Sequence, residues 1–141
     1  MITIIFEAHG TTYDNEKGIS SGHSDAQLSP LGIKQSKKMG DRYGGVRFDA
    51  IFTSDLSRAE DSAIIAFDAK FPVVKDYRLR ECDYGDFTQY PSEEVEKQKL
   101  MRITEPFPNG ESYTQTTART KSFLDDLKRN YDGKRVMIVG Y

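Results

Sequence analysis

Short apolar segments that alternate with amphipathic ones constrain the fold of this chain more than any other feature of its sequence. Four segments have the length and the β-branched or aromatic content of buried strands, and stretches of helical periodicity lie between them. The strand candidates are Ile2–Phe6, Phe48–Thr53, Pro72–Val74 and Arg135–Val139. Strands that alternate with helices predict an α/β fold with a mostly parallel sheet.

Four helices are predicted between these strands. Ser29 followed by Pro30 is typical of a helix start, and this helix is expected to end near residues 40–45. A second helix begins near Leu56, and a third covers Ser92–Met101. The longest follows a turn at residues 105–110, and one apolar stripe is predicted along it. The stripe consists of Tyr113, Thr117, Thr120, Leu124, Leu127 and Tyr131.

Length and composition predict a single domain over residues 1–141, with 37% hydrophobic residues available for a core. The net charge is −2 and no Lys or Arg cluster stands out, which argues against a nucleic-acid partner. The single cysteine, Cys82, excludes an internal disulfide and favours a reducing, cytoplasmic location. No apolar segment approaches the ~20 residues of a membrane span. The oligomeric state is left open.

Polar groups follow the predicted strands at three places: His9, residues 54–58 and the last residue of the chain. Ligands of parallel sheets bind beyond the carboxyl ends of the strands, so we expect these groups to converge. No glycine-rich nucleotide loop is present. His9, Asp14, His23 and Asp25 could surround a metal, but their spacing matches no ligand motif. The sequence therefore predicts neither a metal nor a cofactor.

A histidine at the end of a strand can attack a phosphoryl group and form a phosphohistidine. Such a transfer needs positive charge around the phosphoryl oxygens and an acid for the leaving alkoxide. Arg58 could give a bidentate contact, and Glu81 could be the acid. Taken singly, each residue is more often a structural histidine or a solvated charge, so the interpretation depends on their order and spacing.

Taken in order, the motifs of the chain resemble those of the histidine phosphatase superfamily, which includes the cofactor-dependent phosphoglycerate mutases. The first resembles the family's strand that ends in R-H-G, and it is followed by a G-x-x-D-x-x-L segment. The motifs in this chain are AHGTTYDN (8–15), SGHSDAQLSPLG (21–32), SDLSRAEDSA (54–63), LRECDYGDF (79–87) and PNGES (108–112). They are ordered as in the family and extend over almost the whole chain.

The resemblance implies a doubly wound α/β/α sandwich with its site at the carboxyl ends of the strands. It implies that His9 is the phosphorylated nucleophile, that Arg58 holds the phosphoryl group and that Glu81 is the general acid. It also implies a small phosphorylated substrate, or phosphate, as the ligand. The residues that it implies for substrate binding are Gly10, Thr12, Asn15 and Tyr141.

Two positions depart from the family pattern. Ala8, preceded by Glu7, stands where the family has an arginine before the nucleophile, and Tyr141 stands where it has a second phosphate-binding histidine. The family continues with a further helix, so the C-terminal part of the fold is expected to be missing. Losing one preorganised donor to a transition-state oxyanion costs about 10²–10³ in rate, so weakened catalysis is expected.

Three functions follow from the resemblance. The first is a phosphatase that hydrolyses small phosphate monoesters through a phosphohistidine intermediate. A phosphoglycerate mutase-type phosphotransferase is an alternative, but mutases tend to carry a longer insertion between the segments that correspond to Phe87 and Pro108. The third is a catalytically impaired relative, suggested by Ala8 and Tyr141, that binds phosphorylated ligands or a partner protein.

Overall fold

The computed structural model describes residues 1–140, in which four strands and five α-helices alternate. In chain order these elements are β1 (Thr3–Ala8), α1 (Tyr13–Glu16), α2 (Pro30–Arg42), β2 (Ala50–Thr53), α3 (Ser57–Phe67), β3 (Val73–Lys75), α4 (Ser92–Lys97), α5 (Tyr113–Asn130) and β4 (Arg135–Gly140). Short 3-10 helices at Tyr77–Leu79, Gly85–Phe87 and Met101–Ile103 lie between β3 and α5.

The four strands form one sheet in the order β1-β4-β2-β3, and every pairing in it is parallel. Along β1 and β4, Thr3 lies opposite Arg135 and Ala8 lies opposite Gly140. The predicted parallel sheet is therefore confirmed, with strand ends shifted by one or two residues. Because the strands run in one direction, their carboxyl ends lie at the same edge of the sheet.

Helices cover both faces of the sheet, which confirms the predicted α/β/α sandwich. Successive residues of β4 alternate between the faces, as the pleat of a strand requires. Met137 and Val139 pack in the core formed with α2 and α3, whereas Val136 and Ile138 pack in the core formed with α5. Among residues 1–140, no helix combines the length and the apolar character that crossing a membrane requires.

The apolar face of α5 differs from the predicted stripe. Phe123 and Leu127 are the buried residues of this helix, and Thr117, which was predicted to belong to the stripe, is exposed. The difference arises because only the C-terminal half of α5 packs on the sheet, through Phe123 and Leu127. The N-terminal half instead contacts the polar segment after β3 through Arg119. The predicted third helix also ends early, at Lys97.

Two glycines allow α2 to approach the chain that follows β1. A Cβ on Gly32 would lie 2.0 Å from the Thr11 carbonyl oxygen, and one on Gly10 would lie 2.4 Å from the Gly32 carbonyl oxygen. The N-cap residue Ser29 adds to this contact because its Oγ accepts from the Gly32 amide and donates to the Thr11 carbonyl. The start of α2 therefore supports the backbone directly after His9.

Replacing Gly32 by alanine should destabilise the protein although alanine is the better helix former. The added methyl group has to displace backbone atoms, and we expect a loss of more than about 2 kcal/mol in the free energy of unfolding. Urea unfolding would measure this loss. Gly45→Ala is the matched control, because a Cβ there meets no atom within 4 Å, and it should stay within about 0.5 kcal/mol. Equal losses in both variants would contradict the close approach.

Candidate active site

His9 is the first residue after β1, and the sheet itself holds its backbone. Its amide donates to the Gly140 carbonyl at the end of β4, at 2.7 Å. Its Nδ1 lies 2.6 Å from the Gly10 carbonyl oxygen. Because a carbonyl oxygen only accepts hydrogen bonds, Nδ1 carries the proton in this contact, and Nε2 of the neutral ring keeps its lone pair.

The surroundings of His9 favour the neutral imidazole. Burial lowers the pKa of His9 below its ordinary value of 6.5, and the positive charge of Arg58 lowers it further. The hydrogen bond to the Gly10 carbonyl opposes the shift but does not outweigh burial. His9 is therefore neutral at pH 7 and available as a nucleophile or a base.

Arg58 lies in the first turn of α3, with only 3% of its surface exposed. Its Nη1 donates to the Ser24 carbonyl at 2.8 Å and its Nη2 to the Gly22 carbonyl at 2.6 Å. Burial lowers the pKa of Arg58, and Glu81 is the strongest of the nearby groups that oppose this effect. These two bonds leave N–H donors of the guanidinium for a ligand.

The position of His9 is tied to that of Arg58 through Ser62. The Gly10 amide donates to Ser62 Oγ at 2.9 Å, and this hydroxyl donates to the Arg58 carbonyl at 2.6 Å. Ser62 lies one turn after Arg58 on α3 and is fully buried. The chain after β1 and the start of α3 are therefore joined by one hydroxyl group.

One small cavity, of about 110 Å³, brings the principal predicted residues together. It lies at the carboxyl edge of the sheet, where the sequence predicts convergence. Arg58 is the only lysine or arginine among the described residues that line it. The lining residues are His9, Asn15, Ile19, Ser20, Ser21, Gly22, Arg58, Glu81, Tyr84 and Ser92.

Gly10 and Thr12 adjoin this cavity without lining it. The Gly10 amide is used by Ser62, and Thr12 is fully buried as the N-cap of α1. Thr12 Oγ1 accepts from the Asn15 amide, and Asn15 Oδ1 accepts from the Thr12 amide, both at 3.0 Å. This capping box fixes Asn15 at the cavity wall. The predicted contribution of Tyr141 lies outside the described residues.

Glu81 follows the 3-10 helix Tyr77–Leu79 and reaches the cavity from the side of α5. Its Oε1 accepts from the Cys82 amide at 2.8 Å. Cys82 is fully buried, and burial raises the pKa of its thiol to about 11, so the thiol is protonated and unreactive. The carboxyl group of Glu81 is thus attached to a backbone that the core holds in place.

The long polar segment after β1 is held by backbone hydrogen bonds to the segment before α4. Ile19 pairs with Pro91 in an isolated antiparallel bridge. The Ser92 amide donates to the Gly18 carbonyl at 2.7 Å, and the Ser20 amide donates to the Tyr90 carbonyl at 2.9 Å. These bonds bring Ser92 to the cavity from far along the sequence. Sequence reasoning missed it, whereas Tyr84 could have been found within LRECDYGDF.

Glu7, the acidic residue before Ala8, is paired with the C-terminal end of α2. Glu7 Oε1 accepts from the Tyr43 hydroxyl at 2.6 Å and from Arg42 Nη2 at 3.1 Å. Ala8 itself is exposed and, like His9, lines a second cavity of about 260 Å³. Room for a longer side chain therefore exists at the position where the family pattern has an arginine.

The residues weighed as metal ligands are used in other contacts. Asp14 Oδ2 accepts from Ser21 and Gln89, and Asp25 accepts from the amide and the hydroxyl of Ser57. Within residues 1–140, no group of three or more His, Cys, Asp or Glu side chains is arranged to hold a metal ion.

Fold and sequence together define the class of this protein. A sequence profile of the histidine phosphatase superfamily (branch 1) matches residues 4–140, so the chain belongs to that family. The sheet and the layers of helices are phosphoglycerate mutase-like. YhfR of Bacillus stearothermophilus has the same fold, with a TM-score of 0.89 at 24% identity over 100% of this chain and 74% of that one.

Sequence relatives include both mutases and phosphatases. The chain is 30% identical to a 2,3-bisphosphoglycerate-dependent phosphoglycerate mutase of Rhizobium meliloti, over 99% of this chain and 74% of the mutase. It is 31% identical to PhoE of Bacillus subtilis, described as an uncharacterized phosphatase, over 100% of this chain and 72% of that protein. The chain therefore spans about three quarters of the length of these relatives.

The shifted pKa of His9 leads to a prediction about pH. The pKa of His9 should lie below 6.5 in the folded protein, so protonation of His9 favours the unfolded state. The free energy of unfolding should therefore fall as the pH decreases from 6.5 through the pKa of the folded state. NMR titration of the ring resonances would measure this pKa, in a His23→Gln variant whose one histidine is His9. A pKa at or above 6.5 would contradict burial as the dominant cause.

Proposed function

We propose that the protein hydrolyses small phosphate monoesters through a phosphohistidine formed on His9. The observation that carries this proposal is that His9, Arg58 and Glu81 line one small cavity at the carboxyl edge of the sheet. A neutral imidazole, a buried cation and a carboxyl group are the three components that the reaction needs. Family membership supports the same chemistry.

In the first step, Nε2 of His9 attacks the phosphorus atom opposite the ester oxygen. An N–P bond forms while the P–O bond to the alcohol breaks, and the bonding electrons leave with the alkoxide. The protonated carboxyl group of Glu81 gives its proton to that oxygen, so a neutral alcohol departs. The Nδ1–H group keeps its proton and donates to the Gly10 carbonyl, and this hydrogen bond stabilises the charge that develops on the ring.

In the second step, water attacks the phosphohistidine. The carboxylate of Glu81 takes a proton from the water, the new P–O bond forms and the N–P bond breaks. Inorganic phosphate leaves, and Nε2 regains its lone pair. Glu81 ends protonated, so one residue serves as acid and then as base, and the cycle closes without a cofactor.

Arg58 has the role of holding the phosphoryl oxygens in both steps. Its contacts to the Gly22 and Ser24 carbonyls orient the guanidinium before a substrate binds. Asn15 adds a side-chain amide at the wall, and Gly10 and Thr12 support the segment that carries these groups. Tyr141, outside the described residues, is proposed to add one hydroxyl hydrogen bond.

The charges around the cavity favour monoesters over substrates with two phosphate groups. Arg58 is the only lysine or arginine of the described lining, and a second phosphate would lack a cationic partner there. The other lining side chains offer mainly hydroxyl groups, from Ser20, Ser21, Tyr84 and Ser92. We therefore favour hydrolysis of small monoesters over the mutase reaction of the Rhizobium meliloti relative.

A second candidate function is phosphate-ester binding with little turnover. The observation that favours it is Ala8, which removes a cation beside the proposed nucleophile. Calorimetry with orthovanadate or phosphate, together with assays on phosphate esters, separates the two. Binding without turnover favours this candidate, and turnover that depends on His9 excludes it.

Incubation with a labelled phosphate ester should leave phosphate on His9, stable in base and labile in acid. The His9→Ala variant should not be labelled and should lose at least about 10³ in rate, because the nucleophile is gone. Rapid acid-free quenching followed by mass spectrometry of the peptides would locate the group. His23→Gln, which removes the other histidine, should keep the label. A folded wild-type protein that neither hydrolyses nor retains phosphate would refute the proposal.

Restoring an arginine at position 8 should strengthen anion binding. Ala8→Arg adds a cation where there is room beside His9, and we expect orthovanadate to bind about tenfold more tightly, equivalent to about 1.4 kcal/mol. Isothermal titration calorimetry would measure the change. Ala8→Gln controls for side-chain length without charge, and equal affinity in the two variants would show that charge at this position has no effect.

A further inference from the structure

The segment that carries Glu81 is held by Arg119, a residue of α5 to which the sequence motifs assign no role. Its side chain is 13% exposed, and its guanidinium uses all five N–H donors. The N–H of Nε and one N–H of Nη2 donate to the two carboxylate oxygens of Glu111, at 2.9 and 2.8 Å. The remaining three donate to the carbonyls of Arg78, Arg80 and Glu81, at 3.0, 2.7 and 2.8 Å.

Glu111 completes this arrangement from the turn before α5. Besides pairing with Arg119, its Oε1 accepts from the Asp83 amide at 3.0 Å. The pKa of Glu111 is lowered: burial acts against the shift, but the hydrogen bonds from Arg119 and the Asp83 amide outweigh it. The pair Arg119–Glu111 therefore binds the backbone on both sides of Glu81, at three carbonyls and one amide.

The Glu81 carbonyl has a second donor. His23 Nε2 lies 2.9 Å from it, in addition to Arg119 Nη2 at 2.8 Å. The next residue, Cys82, is fully buried, and its amide donates to the carboxyl group of Glu81. With the carbonyl and the following amide both fixed, the carboxyl group has few positions other than the one at the cavity.

We propose that Arg119 is a positioning residue for the acid Glu81, acting together with Glu111. This inference rests on the proposed function, because it concerns the residue that protonates the leaving oxygen. The geometry requires arginine: a lysine ammonium has three donors on a flexible chain and cannot match a planar fork that serves two carboxylate oxygens and three carbonyls. Losing this fork should free the segment at residues 78–83 and misplace the carboxyl group.

A positioning role and a merely structural role differ in how the rate depends on the leaving group. The ester p-nitrophenyl phosphate releases a stable phenolate that needs little protonation, whereas glycerol 2-phosphate releases an alkoxide that needs the acid. Misplacing Glu81 should therefore lower kcat/KM, which reports the step that releases the alcohol, much more for the alkyl ester than for the aryl ester. A general loss of folded protein would slow both equally.

The experiment compares Arg119→Lys with Arg102→Lys. Arg102 is a matched control because it is likewise little exposed and donates to a backbone carbonyl, that of Pro106, which lies outside residues 78–83. For Arg119→Lys we expect kcat/KM on glycerol 2-phosphate to fall about 100-fold, because kcat/KM reports the step in which the alcohol leaves and not the later hydrolysis of the phosphohistidine. On p-nitrophenyl phosphate the fall in kcat/KM should stay within about fivefold. Arg102→Lys should leave the ratio of the two rates unchanged.

Amide hydrogen exchange gives a second readout that does not need turnover. In Arg119→Lys, exchange at residues 79–83 should accelerate more than tenfold, while strand β4 stays protected as in Arg102→Lys. If Arg119→Lys does not fold, Glu111→Gln, which keeps the shape of the partner, should show the same pattern more weakly. Equal losses of kcat/KM on both esters, or unchanged exchange at residues 79–83, would overturn the positioning role.

The two proposals fail in different ways. If the unaltered protein hydrolyses neither ester, the proposed function is wrong, and hydrogen exchange alone then decides whether Arg119 orders the Glu81 segment. If the unaltered protein hydrolyses both esters and the Arg119→Lys variant keeps their ratio, the phosphatase function stands and the positioning role is wrong.

Discussion

The hydrogen bond from the His9 amide to the Gly140 carbonyl is the contact on which the arrangement of the site depends. It extends the parallel pairing of β1 and β4 by one residue, so the sheet itself, and not a free loop, holds the backbone of His9. Ser62 then connects the next residue to α3 and to the Arg58 backbone. The imidazole and the guanidinium are thus held relative to each other through the sheet and α3.

Arg58 differs from Arg78, Arg80 and Arg119 in the kind of partner that its guanidinium has. Burying a guanidinium is costly unless its donors are satisfied, and Arg78, Arg80 and Arg119 satisfy theirs partly with carboxylates. The guanidinium of Arg58 donates instead to the neutral carbonyls of Gly22 and Ser24. Neutral acceptors orient the guanidinium without an ion pair, so its charge has no direct carboxylate partner that an anion in the cavity would have to displace.

Local sequence patterns were sufficient to predict the sheet and the residues that follow its strands. The four strands follow from short apolar runs, the start of α2 from its serine cap and the start of α3 from periodicity, although α3 has no side-chain cap. Ordered motifs singled out His9, Arg58 and Glu81. Contacts between segments that are distant in the sequence could not be predicted. Ser92 reaches the cavity through the pairing of Ile19 with Pro91, and the orientation of α5 depends on carbonyls some forty residues away. Neither contact produces a periodic pattern in the sequence.

The absence of an arginine at position 8 weakens the proposed chemistry without removing its basis. One preorganised donor is worth about 3–4 kcal/mol in an enzyme site. Enzymes lower barriers by about 8–23 kcal/mol, and the hydrolysis of phosphate monoesters lies at or beyond the upper end of that range. In the proposed reaction, His9 would supply the nucleophile, Arg58 the positive charge and Glu81 the proton. Most of the stabilisation that this reaction requires would therefore remain without an arginine at position 8, and the pairing of Glu7 with Arg42 and Tyr43 limits the repulsion that an anion meets.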